Sequence, residues 1–389
     1  MLDRLLLASS LVACAVALAL APTAQASTFL RPGLHDDAEV LFGDPDRVFP
    51  ILQQVHTKLL RVNLRWGGPH GVAEEEPTDP TDPYDPAYDW RPYDRAVKRA
   101  GQIGVSVIFT ILGTPSWASG APGSSWNVAP ARAIDLRRFA VAAARRYSGT
   151  RIDDVGERLP RVRLWTAWNE PNNPVFLKPQ WARNAAGDWF AKSAVDYARI
   201  CNAVVAGVKA VQRTARVACG DTAPRGNNNP SSSRPSVAPV AFLEGMWKAG
   251  ARGFDAFAHH PYYGQSNETP DTPPPLGLRG QPSTAVTLGN FEVIVKAVAD
   301  RYGPSMRLWV TEYGYQTNPP DKLVGVSFPD QARYMEQAYR KLKRNSRVDV
   351  FIWFLLRDEG RTDGWQSGLY TRGWKRKDAR ETFERLGEM

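Results

Sequence analysis

The sequence predicts an α/β protein, a (β/α)8 barrel of the TIM type with long βα loops at its C-terminal face. Three observations lead there. Short apolar runs alternate with helical patterns from one end of the 389 residues to the other, as in a parallel α/β protein. Eight such runs can be counted, the number a closed barrel of this type uses. No Gly-rich phosphate turn follows the first run, which weighs against the runner-up, a doubly wound open sheet.

The first strand is read over FLRPGLH (29–35). DPDRVFPILQQVH follows as a helix with Asp44 as cap and Pro45 at the first helical position, both favoured there. The second strand, KLLRVNLRW (58–66), alternates Arg61, Asn63 and Arg65 with Leu60, Val62 and Leu64. One of its faces is polar on a strand that should be buried on both sides, which makes sense if that face lines a wet cavity. VSVIFTIL (105–112) and RVRLWTAWNE (161–170) are the third and fourth strands. The helix after the fourth places Tyr197, Cys201, Val204, Val205, Val208 and Val211 on one face. ARVACGD (215–221), FDAFAHH (254–260), RLWVTEYG (307–314) and VDVFIWFLL (348–356) complete the strands, and a helix near 378–387 ends the chain. The Pro-rich stretches 74–90, 222–236 and 264–283 each follow a strand and precede a helix. They therefore belong to the rim where this fold keeps its active sites, as walls of a cleft rather than disordered insertions.

Ahead of the barrel, residues 1–26 combine Arg4, an apolar run and small residues at Ala24 and Ala26. That is the pattern of a signal peptide cleaved before Ser27, leaving one secreted domain over 27–389. A rival reading makes LVAC (11–14) a lipoprotein box with Cys14 acylated, although the apolar run continues to Ala21, where such a tether usually turns polar. Beyond the leader, no segment is long and apolar enough to span a bilayer. Two cysteines remain, Cys201 and Cys219, either as separate buried thiols or as one bridge. The net charge of +9 would suit an acidic polymer, but the basic residues are scattered over helices, as on a solvated surface. Nucleic acid is not expected as a partner.

Glu170 ends the fourth strand and Glu312 the seventh, so two carboxylates reach the same rim from different sides of the barrel. Retaining glycoside hydrolysis needs such a pair, one carboxyl as proton donor and one as nucleophile. WNEPN (168–172) and WVTEYGY (309–315) resemble the acid/base and nucleophile motifs of the clan A retaining glycoside hydrolases. The nearest likeness is to family 39 and its bacterial exopolysaccharide-hydrolase relatives, with family 5 second. The resemblance spans the mature chain in outline, is specific at strands four, six, seven and eight, and is weak in the loops.

It implies Glu170 as acid/base, Glu312 as nucleophile and Asn169 as partner of a sugar 2-hydroxyl. Arg61 matches the arginine that supports the nucleophile, with Arg65 as the alternative. His260 and Tyr262 match the clan's His-x-Tyr, Tyr262 bonding Glu312 and His260 lining the sugar site near the acid/base. Trp353 matches the floor beneath the sugar, and Trp117 is a further candidate wall. Trp165 and Trp168 serve either as packing or as cleft lining. His259 and His260 with a glutamate would make a metal site, but five histidines and no zinc spacing argue against it; no cofactor is expected. The reading is a monomeric glycosidase with an oligo- or polysaccharide substrate. Its rivals are a catalytically inactive carbohydrate-binding barrel, disfavoured because the motif set is complete, and a transglycosylase.

Overall fold

A computed structural model describes Ser27 and residues 29–389 except 122, 124, 278 and 279. The leader and Cys14 lie outside the described residues. Eight parallel strands close into a barrel: β1 (Arg31–His35), β2 (Leu59–Arg65), β3 (Ser106–Leu112), β4 (Leu164–Ala167), β5 (Arg216–Thr222), β6 (Ala256–His259), β7 (Arg307–Tyr313) and β8 (Val348–Phe354). Among the described residues the α-helices are α1 (Pro45–Gln54), α2 (Arg91–Gln102), α3 (Ala133–Arg146), α4 (Lys192–Val211), α5 (Pro239–Lys248), α6 (Glu292–Tyr302), α7 (Phe328–Lys343) and α8 (Asp378–Leu386). β1 closes the ring by pairing with both β8 and β2, Leu34 opposite Trp353 and Gly33 opposite Leu59. A Cβ on Gly33 would come within 2.6 Å of the Leu59 carbonyl oxygen and the Ile352 side chain, so only glycine fits the seam.

Two separate apolar layers hold the fold. The larger lies between strands and helices, where α4 buries Tyr197, Cys201, Val204, Val205 and Val208. The smaller fills the lower barrel with Leu59, Ile108, Leu164, Ala218, Ala256, Ala258, Trp309, Val350 and Ile352. Above that plug the inward positions turn polar: Arg61 on β2, Thr110 on β3, Thr166 on β4 and Thr311 on β7 are all fully buried and hydrogen-bonded within the barrel. The polar face of β2 thus lines a cavity. Asp44 caps α1, accepting from the Asp46 amide at 3.0 Å.

Cys201 on α4 and Cys219 on β5 form a disulfide. The fourth strand is shorter than expected, because regular pairing stops at Ala167. Trp168 (φ 66°) and Glu170 (φ 39°) both turn into the left-handed region, which few non-glycine residues occupy without compensating contacts.

Among the described residues no helix is long and apolar enough to cross a membrane.

Candidate active site

A cavity of about 680 Å³ opens over the barrel's C-terminal end, and Glu170, Glu312 and Asn169 line it. Arg61 organises its floor. The guanidinium has five N–H donors and uses them all. Nε donates to Thr110 Oγ1 (3.0 Å), Nη1 to Glu312 Oε1 and to His35 Nδ1 (3.0 Å), and Nη2 to Asn169 Oδ1 (2.6 Å) and Asp221 Oδ2 (2.9 Å). Between Arg61 and Arg65, Arg61 therefore supports Glu312. Arg65 lies at the cavity wall over the Trp126 ring.

Glu312 also accepts from the Tyr262 hydroxyl at 3.2 Å, and its Oε1 lies 3.3 Å from His35 Nδ1. Burial alone would raise its carboxyl pKa, but His260 and Arg61 outweigh burial and hold it well below the ordinary carboxylate range. His260 is fully buried between three carboxylates. Its Nδ1 is 3.1 Å from Glu170 Oε1 and 3.6 Å from Glu312 Oε2, and its Nε2 is 3.3 Å from Asp221 Oδ1. Burial would strip its proton; Glu312 and Asp221 instead raise its pKa to about 10. The imidazolium so formed lies beside Glu170, but it is fully buried and does not line the cavity.

Glu170 sits at the cavity mouth, its amide fixed on the Asp221 carbonyl (2.8 Å) and its Oε2 accepting from Asn173 Nδ2 (3.0 Å). Nearest ligand atoms of Glu170, His260 and Glu312 all lie within 4.8 Å of one another. Three such groups are the minimum for a cation, yet the charges around them are already matched by Arg61 and His260, so a metal would have to compete with two built-in cations. His259 does not belong to this group. It is locked between Thr222 Oγ1 (2.8 Å) and the Val286 carbonyl (2.9 Å) on the outer side of β6, where burial lowers its pKa to about 4.

Six expected residues thus meet in one cluster, and two do not. Trp353 is fully buried and donates its indole N–H to the Ser367 carbonyl (2.8 Å). It cannot floor the cavity, because along β8 the inward positions are Val350 and Ile352, and the alternation gives the next inward place to Phe354. Trp117 is half-buried, edge-on to Trp66 with its indole N–H on the Ala73 carbonyl (3.0 Å), away from the cavity lining. The aromatic walls are instead Phe354, Phe176 and Trp365, with Trp365 also 5.0 Å from the Tyr262 ring. Trp165 and Trp168 are packing residues, both fully buried.

The loops need a similar correction. Residues 74–90 fold back on themselves and on α3, with Tyr88 and Trp90 bonded to the carbonyls of Pro80 and Pro83, and contribute nothing to the cavity lining. Most of the wall comes from short segments after β1 (36–39), β4 (169–176) and β8 (354–365).

Sequence reasoning missed Asp221, His35 and Asn173. Asp221, fully buried with φ 47°, accepts from Arg61 and Thr311 and stands 3.3 Å from His260 Nε2 as its ion-pair partner. Burial would raise its pKa, but Arg61 and His260 hold it below the usual value. A polar residue in the last two places of a barrel strand is a usable signal, and both Asp221 and His35 carry it.

Residues 285–378 match the family model described as glycosyl hydrolase catalytic core, a span that includes Glu312 but not Glu170. No curated protein matches the chain. Among solved structures it is similar to a family 39 glycoside hydrolase from Bacteroides cellulosilyticus WH2 (17% identity, TM-score 0.63, covering 94% of this chain and 64% of that one). The chain has the fold of a family 39 glycoside hydrolase. A glucosidase from Croceicoccus marinus (15%, 0.65, 93% and 68%) and a monomeric beta-xylosidase from Caulobacter crescentus CB15 (16%, 0.60, 93% and 69%) share it. The chain spans 64% of the length of the first of these proteins.

Proposed function

We propose that this barrel is a retaining glycoside hydrolase with Glu312 as nucleophile and Glu170 as acid/base. The observation that carries the reading is the spacing of the two carboxylates, whose nearest oxygens are within 4.8 Å. Retaining enzymes hold their carboxyl groups about 5–5.5 Å apart, whereas inverting ones leave about 6.5–9.5 Å for a water. The environments also differ as the two roles require. Glu312 is enclosed by Arg61, Tyr262, His35 and His260, which keep it ionised and aimed. Glu170 stands at the mouth with Asn173.

In the first step a Glu312 oxygen bonds the anomeric carbon as the bond to the leaving oxygen breaks, and the Glu170 proton passes to that oxygen. Water then attacks the glycosyl ester, Glu170 takes its proton, and Glu312 leaves as carboxylate. Asn169, whose carbonyl oxygen is committed to Arg61, has its NH2 left for a sugar hydroxyl. Phe354 and Trp365 supply apolar faces for the pyranose C–H surface. No step calls on a cofactor or metal. Secretion is supported by the leader pattern and by the Cys201–Cys219 bridge, which suits an oxidising compartment.

The test is release of reducing ends from a panel of plant and bacterial polysaccharides by wild type beside Glu312→Gln and Glu170→Gln. Glu312→Gln should lose at least about 10³-fold in kcat. Glu170→Gln should keep only substrates with very good leaving groups, such as dinitrophenyl glycosides. Full activity in both variants would overturn the assignment.

A further inference from the structure

The cavity does not end at Glu170. A second hollow of about 520 Å³ adjoins it, with Asn173 and Arg234 lining both. Its remaining polar walls include Arg225, Asn227, Ser232, Ser236, Ser283 and Thr284. The two hollows differ in charge. Asp36, Asp37, Glu39, Asp358 and Glu359 stand around the first, besides the two reacting glutamates, while among the described residues no carboxylate lines the second.

The second hollow is built, not incidental. Asn227 Nδ2 donates to Ser232 Oγ (3.1 Å) and to the Arg234 carbonyl (3.0 Å), and its Oδ1 accepts from the Ser236 amide (3.1 Å). Gly226 closes this loop against Val237, where a Cβ would meet backbone at 2.2 Å. Arg225 is fixed by the Tyr263 carbonyl (3.1 Å), with Glu268 3.8 Å behind it. Arg234 is exposed, and its guanidinium has no hydrogen-bond or ion-pair partner among the described residues. A fixed loop thus presents one uncompensated and one partly compensated guanidinium to a hollow rich in hydroxyls and amides.

Position gives it a role. Asn173 joins the hollow to Glu170 Oε2, the group that protonates the departing oxygen, so the hollow lies on the leaving-group side. We propose that it binds the leaving-group portion of the substrate and selects a sugar bearing a carboxylate, a uronate. The direction rests on the glycosidase reading, whereas the binding itself does not. Arginine forks suit carboxylates, and serine, threonine and asparagine suit ring hydroxyls; the chain's net charge of +9 acts in the same sense.

The experiment uses the full chain as Glu312→Gln, so that ligands survive. Tetrasaccharides from glucuronoxylan, hyaluronan and pectate are titrated calorimetrically beside their carboxyl-reduced forms, in which each carboxylate is replaced by an uncharged hydroxymethyl group. At least one acidic form should bind about ten-fold more tightly than its reduced counterpart. Adding Arg234→Gln, a surface change that leaves the fold intact, should bring the two within about two-fold, and Arg225→Lys should weaken the preference partially. Equal affinity for acidic and reduced forms, a preference that survives Arg234→Gln, or binding of neither form overturns the proposal. So does tighter binding of a sulfated tetrasaccharide through the same arginines, which would make the site one for sulfate esters. Hydrolysis by the wild type is read separately, so loss of the glycosidase reading and loss of the uronate site give different results.

Discussion

Arg61 shows why this site depends on single residues: five donors serve five acceptors, and losing any acceptor leaves a buried N–H unmatched. Asp221 has the same character in reverse, one carboxylate serving Arg61, Thr311 and His260. It is fully buried outside the cavity lining and acts as a positioning residue. Asp221→Asn removes one of the two charges that hold the His260 proton, so the imidazole should titrate at least about one pH unit below its wild-type value near 10. Imidazole NMR would read the shift, and the alkaline limb of kcat/KM should move with it. An unmoved imidazole titration would deny Asp221 this role. Glu170, Glu312, Asn169, His260 and Tyr262 were legible because each stands near the carboxyl end of a strand in a recognisable motif, and Arg61 because it puts a charge inside a buried strand. Asp221 and His35 stand there too, but a strand end does not reveal which partners meet across the barrel. Trp353 was misplaced for a simpler reason. Along β8 the period-two alternation that makes one face of β2 polar points Val350, Ile352 and Phe354 inward and Trp353 outward.

At the scale of elements, seven of the eight strands lie within two residues of their expected ends, because apolar runs bounded by turn residues mark them well. The fourth is the exception, cut short where the chain twists to present Asn169 and Glu170. Loops were the least legible, since composition does not say whether a Pro-rich segment packs on helices or on a cleft. The latch between the first and last strands was invisible for the same reason. Just past β1, Asp36 accepts from the amides of Glu39 (3.1 Å), Leu356 (3.2 Å) and Arg357 (3.1 Å), tying the β1 end to the segment after β8. Asp36→Ala strands these donors and should cost about 2–3 kcal/mol, seen as a lower urea midpoint at unchanged m-value. A midpoint equal to wild type would mean that water replaces the carboxylate. The Cys201–Cys219 bridge joins α4 to β5 across 18 positions. A loop of that size corresponds to about 3 kcal/mol in the chain-entropy treatment. The Cys201→Ala, Cys219→Ala double variant should melt lower than wild type, and reductant should lower the wild-type Tm alone.

Across the whole molecule, the barrel separates a dry lower plug from an upper layer in which Arg61, His260, Asp221 and Glu312 are buried together. Such a cluster is favourable only while its protons are in place, so global stability should follow them. Glu312 and Asp221 are held below their ordinary values of 4.5 and 3.8, so their contribution is present above those values and lost on acidification. His260 moves the other way, from 6.5 to about 10. Its contribution is complete below pH 6.5 and is lost as pH rises through about 10. Asp36, raised by burial from 3.8 to about 7, likewise gives up its contribution between those values. The two losses on acidification and the two losses on raising the pH leave a maximum between about pH 4 and 5, with a long decline toward pH 10. Calorimetric Tm across pH 4–10 would trace it. In His260→Asn, the decline above pH 6.5 should flatten even though the starting Tm is lower, because the titrating proton is gone. A slope identical to wild type above pH 6.5 would show that some other group carries the pH dependence and that the buried imidazolium does not hold the site together.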